Sequence, residues 1–167
     1  MSLSPFPKAL LTRAENLLAL YRDQGLMLAT AESCTGGLVA GLLTEIAGSS
    51  DVVERGFVTY SNAAKQECLG VPEAVITGFG AVSQKTARAM AEGALLHSKA
   101  DVAVAVTGIA GPGGGSAAKP VGLVHFGCAR KGRPTVTRVK RFGAISRDAI
   151  RFAAIGVALD LLFEAVA

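Results

Sequence analysis

Alternating strand and helix patterns along 167 residues predict an α/β fold. The expectation is a single three-layer α/β/α domain over residues 1–167, with a mixed, mostly parallel sheet and a C-terminal antiparallel hairpin. Three observations carry it. In Leu26 to Leu43 (LMLATAESCTGGLVAGLL) an apolar run passes through small polar residues and a glycine pair into Leu38, Val39, Leu42 and Leu43 at helical spacing, which reads as strand, tight turn and helix. Val102 to Thr107 (VAVAVT) is continuously apolar, as in a central strand covered on both faces. Gly122 to Arg130 and Thr135 to Phe142 are two strand patterns joined through Lys131 and Gly132, an antiparallel hairpin.

The remaining elements follow in order. Leu10, Leu11, Ala14, Leu17, Leu18 and Tyr21 keep helical register behind Pro5 and Pro7, and Gly25 supplies the stop. Gly48 to Ser50 is a loop, and Val52 to Tyr60 has the β-branched and aromatic content of a strand. Ser61 is placed to cap a short helix over Asn62 to Leu69, which sets Tyr60 at a strand end and Lys65 in the first turns beyond it. Val71 to Val82 is broken by Pro72, Gly78 and Gly80 and is expected to be irregular, with a short strand at Val75 to Thr77. Ser83 caps a helix whose face is Ala87, Met90, Ala91, Ala94 and Leu95. Ser146 caps the last helix, with Ile150, Ala154, Val157, Ala158, Leu161 and Leu162 as its core stripe.

Composition narrows the chemistry. No uncharged apolar run reaches the roughly 18 residues a spanning helix needs, so no membrane partner is expected. The N-terminal MSLSPFPK has no secretory pattern, and the cytoplasm is the expected compartment. Cys34, Cys68 and Cys128 form no C-x-x-C pair, and His97 and His125 are the two histidines, so neither a zinc site nor a Ser/His/Asp arrangement has raw material. No metal and no cofactor are expected. The net charge of +4 is modest, and the basic run Arg130, Lys131, Arg133, Arg138, Lys140 and Arg141 has no interleaved aromatics. It reads as a solvated hairpin and not as a nucleic-acid surface. The apolar composition favours a homo-oligomer.

Four groups could carry chemistry. Ser33 at the turn either caps the following helix, as Thr35 could, or stands exposed beside free N–H groups as a nucleophile or anion contact. Cys34 is either a thiolate at a helix N-terminus or an inert buried thiol, and Glu32 either orients a base or bonds nearby N–H groups. Lys65 is either solvated or held with a lowered pKa, and a neutral lysine with Tyr60 nearby can activate a serine without histidine. Gly108 to Ser116 has neither a Walker ending nor a dinucleotide fingerprint; following Thr107, its N–H groups can form a concave anion site. Arg147 and Arg151 lie on one face in the first turns of their helix, where the macrodipole disfavours cations, so they want a partner: Asp148 or an anionic ligand.

Together, TAESCTGGLVAGLLTEIAGSS, GFVTYSNAAKQECLGV and AVTGIAGPGGGSAAKPVGLVHFG resemble the CinA C-terminal domain family, also found alone as PncC nicotinamide-nucleotide amidases. The resemblance spans nearly the whole chain. It implies hydrolysis of the carboxamide of nicotinamide mononucleotide to nicotinate mononucleotide and ammonia, in pyridine nucleotide recycling. The family's proposed serine, tyrosine and lysine match Ser33, Tyr60 and Lys65. Substrate contacts are expected from Glu32, Thr35, Gly36, Gly37, Thr107, Gly108, Ile109, Ala110, Gly111, Arg147 and Arg151, with the partner a small-molecule pyridine nucleotide. Many relatives carry this domain behind a molybdopterin-binding-like domain, and activity belonging to that domain is not expected here. The competing readings are an amidohydrolase of another substrate using Cys34, and a non-catalytic nucleotide-binding regulatory module.

Overall fold

The computed structural model describes residues 3–167. Its five-stranded sheet has the order β2-β1-β3-β4-β5, formed by β1 (Leu28–Glu32), β2 (Val53–Val58), β3 (Val102–Gly108), β4 (Leu123–Arg130) and β5 (Val136–Arg141). β1 pairs parallel with β2 and β3, whereas β4 runs antiparallel to both β3 and β5. Four strands therefore share one direction, and the C-terminal hairpin supplies the reversed one. The central strand is β3, as its unbroken apolar sequence predicts.

Alternation along β3 divides the core. Val102, Val104 and Val106 face the cluster containing Leu17, Leu18, Leu42, Ile150, Ile155 and Leu162, from α1 (Lys8–Gln24), α2 (Leu38–Thr44) and α6 (Arg147–Glu164). Ala103 and Ala105 face the other cluster, with Leu69 from α3 (Asn62–Leu69), Ile76 from α4 (Glu73–Phe79) and Met90, Ala91 and Ala94 from α5 (Gln84–Leu96). The small side chains on this second face let the helices approach closely. At Gly93 a Cβ would lie 1.9 Å from the Leu69 carbonyl oxygen, so only glycine allows α5 to seat the C-terminal end of α3. That seating positions the helix that carries Lys65.

The expected caps form at three helices: Ser61 accepts from the Ala64 N–H, Ser83 from Thr86 and Ser146 from Ala149. One expectation fails. Val71 to Val82 is not irregular with a strand at Val75 to Thr77; it contains α4. Pro72 stands at the N-cap, where its missing N–H costs nothing, and Gly80 stands at the C-cap, so two of the residues read as breakers are the boundaries of a short helix and the third, Gly78, lies within its last turn. Gly48 to Ser50 also carries more order than a loop, with a 3₁₀ turn over Ser49–Asp51.

Part of the basic hairpin is engaged at the C-terminus of α6. Arg130 and Arg133 both donate to the Ala165 carbonyl, and Arg138 pairs with Glu164 at 2.7 Å. Cations there complement the negative end of the helix. Among the described residues no helix is long and apolar enough to cross a membrane.

Candidate active site

Three parallel strands deliver the candidate residues to one end of the sheet. Ser33 follows β1, Thr59 and Tyr60 follow β2, and Ile109 to Gly111 follow β3. This is the carboxyl edge, where open α/β sheets form their crevices. The strand ends are tied together: the Ser33 N–H donates to Val106 O at 2.9 Å and the Thr59 N–H to Glu32 O at 2.9 Å. A cleft of about 280 Å³ opens there, lined by Ser33, Cys34, Tyr60, Lys65, Thr107, the Gly108 to Gly111 segment and Arg147, among others.

Lys65 is the polar centre of this cleft. It sits on the first turn of α3, is 1% exposed, and donates from Nζ to Ser33 Oγ at 3.1 Å and to the Thr59 carbonyl at 2.8 Å. No carboxylate pairs with it among the described residues. Burial of an ammonium without a counter-ion disfavours its charged form, and desolvation lowers the Lys65 pKa from 10.5. In the neutral state the same contact reverses: the serine hydroxyl donates to the nitrogen lone pair.

Ser33 and Thr35 do not cap α2. The N-cap is Gly37, with no side-chain bond, and the helix start is satisfied by Glu32, whose Oε1 accepts from Val39 N–H at 2.8 Å and Thr35 Oγ1 at 2.6 Å and whose Oε2 accepts from Ala40 N–H at 3.1 Å. Glu32 is therefore the cap, reached from the end of β1. The Ser33 side chain is left for Lys65. Within this turn the Gly36 N–H is spent on Ser33 O, while the amides of Cys34, Thr35 and Gly37 have no backbone acceptor among the described residues. Of these, Cys34 lines the cleft.

The arginines divide. Arg147 lines the cleft, donating to Gly111 O at 2.6 Å and to Tyr60 Oη at 3.0 Å. Tyr60 itself is 61% exposed at the mouth, with its hydroxyl held by Arg147 and not by Ser33. Arg151 does not line the cleft; it holds the turn from behind, donating to Cys34 O at 3.1 Å and Thr35 O at 3.2 Å. Glu32, Thr35, Gly36, Gly37 and Arg151 thus shape the turn after β1, while Ser33, Tyr60, Lys65, Thr107 to Gly111 and Arg147 form the walls. Cys34 is buried and its thiol is pushed up to about 11, chiefly by desolvation.

Sequence reasoning missed two contributors. Ala81 and Val82 form a wall that carries no reactive group and so no motif; Thr107 Oγ1 fixes it by donating to Ala81 O at 2.8 Å. The Thr59 carbonyl, the lysine's closest partner, is a backbone atom that side-chain motifs do not report. Among the described residues the amides of Ala110, Gly111, Gly113 and Gly114 meet no backbone acceptor, which leaves them available to an anion.

The chain is similar to known proteins over most of its length. Residues 11–166 match the model of the CinA C-terminal domain. The chain is 52% identical to a nicotinamide-nucleotide amidohydrolase PncC of Enterobacter agglomerans over 136 residues, covering 81% of this chain and 82% of that one. It is 58% identical over 117 residues to a CinA-like protein of Akkermansia muciniphila, covering 70% of this chain and 28% of the relative. The chain spans 27% to 37% of the longer curated relatives it matches. The crystal structure of the competence/damage inducible protein CihA from Agrobacterium tumefaciens superposes with a TM-score of 0.95 at 54% identity, covering 99% of both chains. A CinA superfamily protein of Escherichia coli superposes with a TM-score of 0.88 at 32% identity, covering 98% of this chain and 95% of that one. With residues 11–166 matched and nearly the full length superposed, this chain belongs to the CinA C-terminal domain family.

Proposed function

We propose that residues 1–167 act as one nicotinamide-nucleotide amidase domain, hydrolysing the carboxamide of nicotinamide mononucleotide to nicotinate mononucleotide and ammonia. The carrying observation is the buried Lys65 Nζ at 3.1 Å from Ser33 Oγ. Neutral Lys65 takes the serine proton as Ser33 attacks the amide carbon, and the developing oxyanion meets the Cys34 N–H, the amide next after the nucleophile. The lysinium then protonates the amide nitrogen, the C–N bond breaks and ammonia departs. Water, deprotonated by the same amine, attacks the acyl-serine ester; the lysinium returns the proton to Ser33, and the carboxylic acid leaves and gives its proton to solvent. Tyr60 and Arg147 stand at the mouth, and Arg147 with the amides of Ala110, Gly111, Gly113 and Gly114 receives the phosphate, fixing the ring against the nucleophile. The same proposal takes the protein to be a cytoplasmic homo-oligomer that acts without cofactor, metal or nucleic acid.

The reading that uses Cys34 as nucleophile is disfavoured by a buried thiol held in its protonated form. Ammonia release from nicotinamide mononucleotide tests the assignment: Ser33→Ala abolishes it and Cys34→Ala retains it. The reverse pattern rejects the serine. If wild-type protein rises in melting temperature with the nucleotide but releases no ammonia, the regulatory binding module is the correct reading.

A further inference from the structure

The glycine-rich segment after β3 is held at its base and left open at its tip. Ile109 N–H donates to Leu123 O and Gly122 N–H to Ile109 O, both near 2.8–2.9 Å, and Arg147 takes Gly111 O. Residues 112 to 118 are exposed. Ser116 and Lys119 close a small turn, Ser116 N–H donating to Lys119 O at 2.8 Å and Lys119 N–H to Ser116 Oγ at 3.1 Å. From that turn the Lys119 side chain crosses to the opposite wall and donates from Nζ to Phe79 O at 2.6 Å.

Phe79 is the last residue of α4, whose terminal carbonyls lack intrahelical donors and carry the negative end of the dipole, so an ammonium is well placed there. The neighbouring carbonyls are also taken by side chains. Gly80 O accepts from Thr86 Oγ1 at 2.7 Å and Ser83 Oγ at 3.1 Å, and Ala81 O accepts from Thr107 Oγ1 at 2.8 Å. Three successive carbonyls are thus fixed from the glycine segment, α5 and β3. A Cβ on Gly80 would stand 2.6 Å from Lys119 Nζ, so the glycine leaves the space that the ammonium occupies. Ala81 and Val82 on one side and Gly113 and Gly114 on the other are walls of the same cleft.

We infer that Lys119 is a positioning residue: it straps the glycine-rich segment to the Phe79–Val82 wall and so sets the width of the cleft at the end where the anionic group of the substrate binds. Lys119 is not a wall of the cleft, and it acts through the loop. Without the strap, the loop amides must be ordered by each substrate molecule as it binds, a cost that weakens binding and leaves the Lys65–Ser33 chemistry intact. The kinetic part of this inference rests on the amidase reading; the structural part does not.

Two measurements on the full chain test it. Backbone amide hydrogen exchange at Ser116 and at position 119, the two hydrogen-bonded amides of the loop turn, is expected to accelerate about three- to tenfold in Lys119→Met, with Lys119→Arg restoring much of the protection because a guanidinium can reach the same carbonyl. In steady-state ammonia release from nicotinamide mononucleotide, Lys119→Met is expected to raise KM by a similar factor while kcat stays within about twofold. Unchanged exchange in Lys119→Met overturns the strap, whether or not the protein is an amidase. Faster exchange with unchanged KM, or a fall in kcat alone, overturns its role in substrate binding. A wild type that releases no ammonia defeats the amidase reading and leaves the exchange result to decide the strap.

Discussion

Lys65 Nζ lies 3.1 Å from Ser33 Oγ although 32 residues separate them in sequence, and both side chains are buried. Because desolvation lowers the Lys65 pKa from 10.5, an amine in this position is a competent base at lower pH than a solvated lysine. The expected kcat/KM therefore rises with pH through a single basic ionisation whose midpoint lies below 10.5. Lys65→Met removes that limb and lowers kcat by roughly 10²–10⁴. A Lys65→Met enzyme that keeps the wild-type pH profile would show that another group is the base.

The same burial has a thermodynamic consequence. The folded-state pKa of Lys65 lies below its unfolded value, so between the two the unfolded chain holds more protons and folding stability rises with pH. The penalty is complete below the folded pKa and disappears as pH climbs towards 10.5. Subtracting the melting temperature of Lys65→Met from that of wild type cancels the titration of the surface. That difference is expected to be larger at pH 10 than at pH 7, and an equal or smaller difference at pH 10 would mean that the lysine is not held away from its charge.

Cys34 and Cys68 are expected to behave oppositely towards alkylation. Cys34 is buried with its thiol near 11, leaving about one part in a thousand as thiolate at pH 8, whereas Cys68 is exposed. Brief iodoacetamide treatment of native protein at pH 8 should modify Cys68 alone and leave ammonia release intact. Loss of activity in step with alkylation of Cys34, located by peptide mass mapping, would return the thiol to the list of nucleophiles.

Much of this arrangement is legible from sequence because local rules and tertiary structure agree. Ser61, Ser83 and Ser146 cap the helices they precede, and the valine and alanine alternation of β3 sorts itself onto two faces. The failures have tertiary causes. Glu32 serves as the cap of α2 from seven and eight residues upstream of the amides it binds, outside the short spacing by which capping residues are recognised. α4 hides because seven residues between a proline and a glycine offer too little periodicity to separate a helix from a loop. Ala81 and Val82 become a site wall only because Thr107, 26 residues away, holds the Ala81 carbonyl.

Arg147 and Arg151 share one helix face, yet they should fail in different ways. Arg147 lines the cleft and donates to Gly111 O and Tyr60 Oη, so Arg147→Met removes the charge that the proposed function assigns to the substrate phosphate. A charge-assisted contact of this kind corresponds to about a 10- to 100-fold rise in KM for nicotinamide mononucleotide. With the dephosphorylated riboside as substrate the same substitution should have little effect, since no phosphate is present to lose the contact. Arg151 instead donates to the carbonyls of Cys34 and Thr35, the residues that follow Ser33. Arg151→Met leaves the Cys34 carbonyl without its donor and the Thr35 carbonyl with the Leu38 N–H alone, and so loosens the turn; kcat falls for both substrates and the melting temperature drops by roughly 2–6 °C. Equal KM defects with the nucleotide and the riboside in Arg147→Met would place the phosphate elsewhere, and a pure KM effect in Arg151→Met would make that arginine the anion contact.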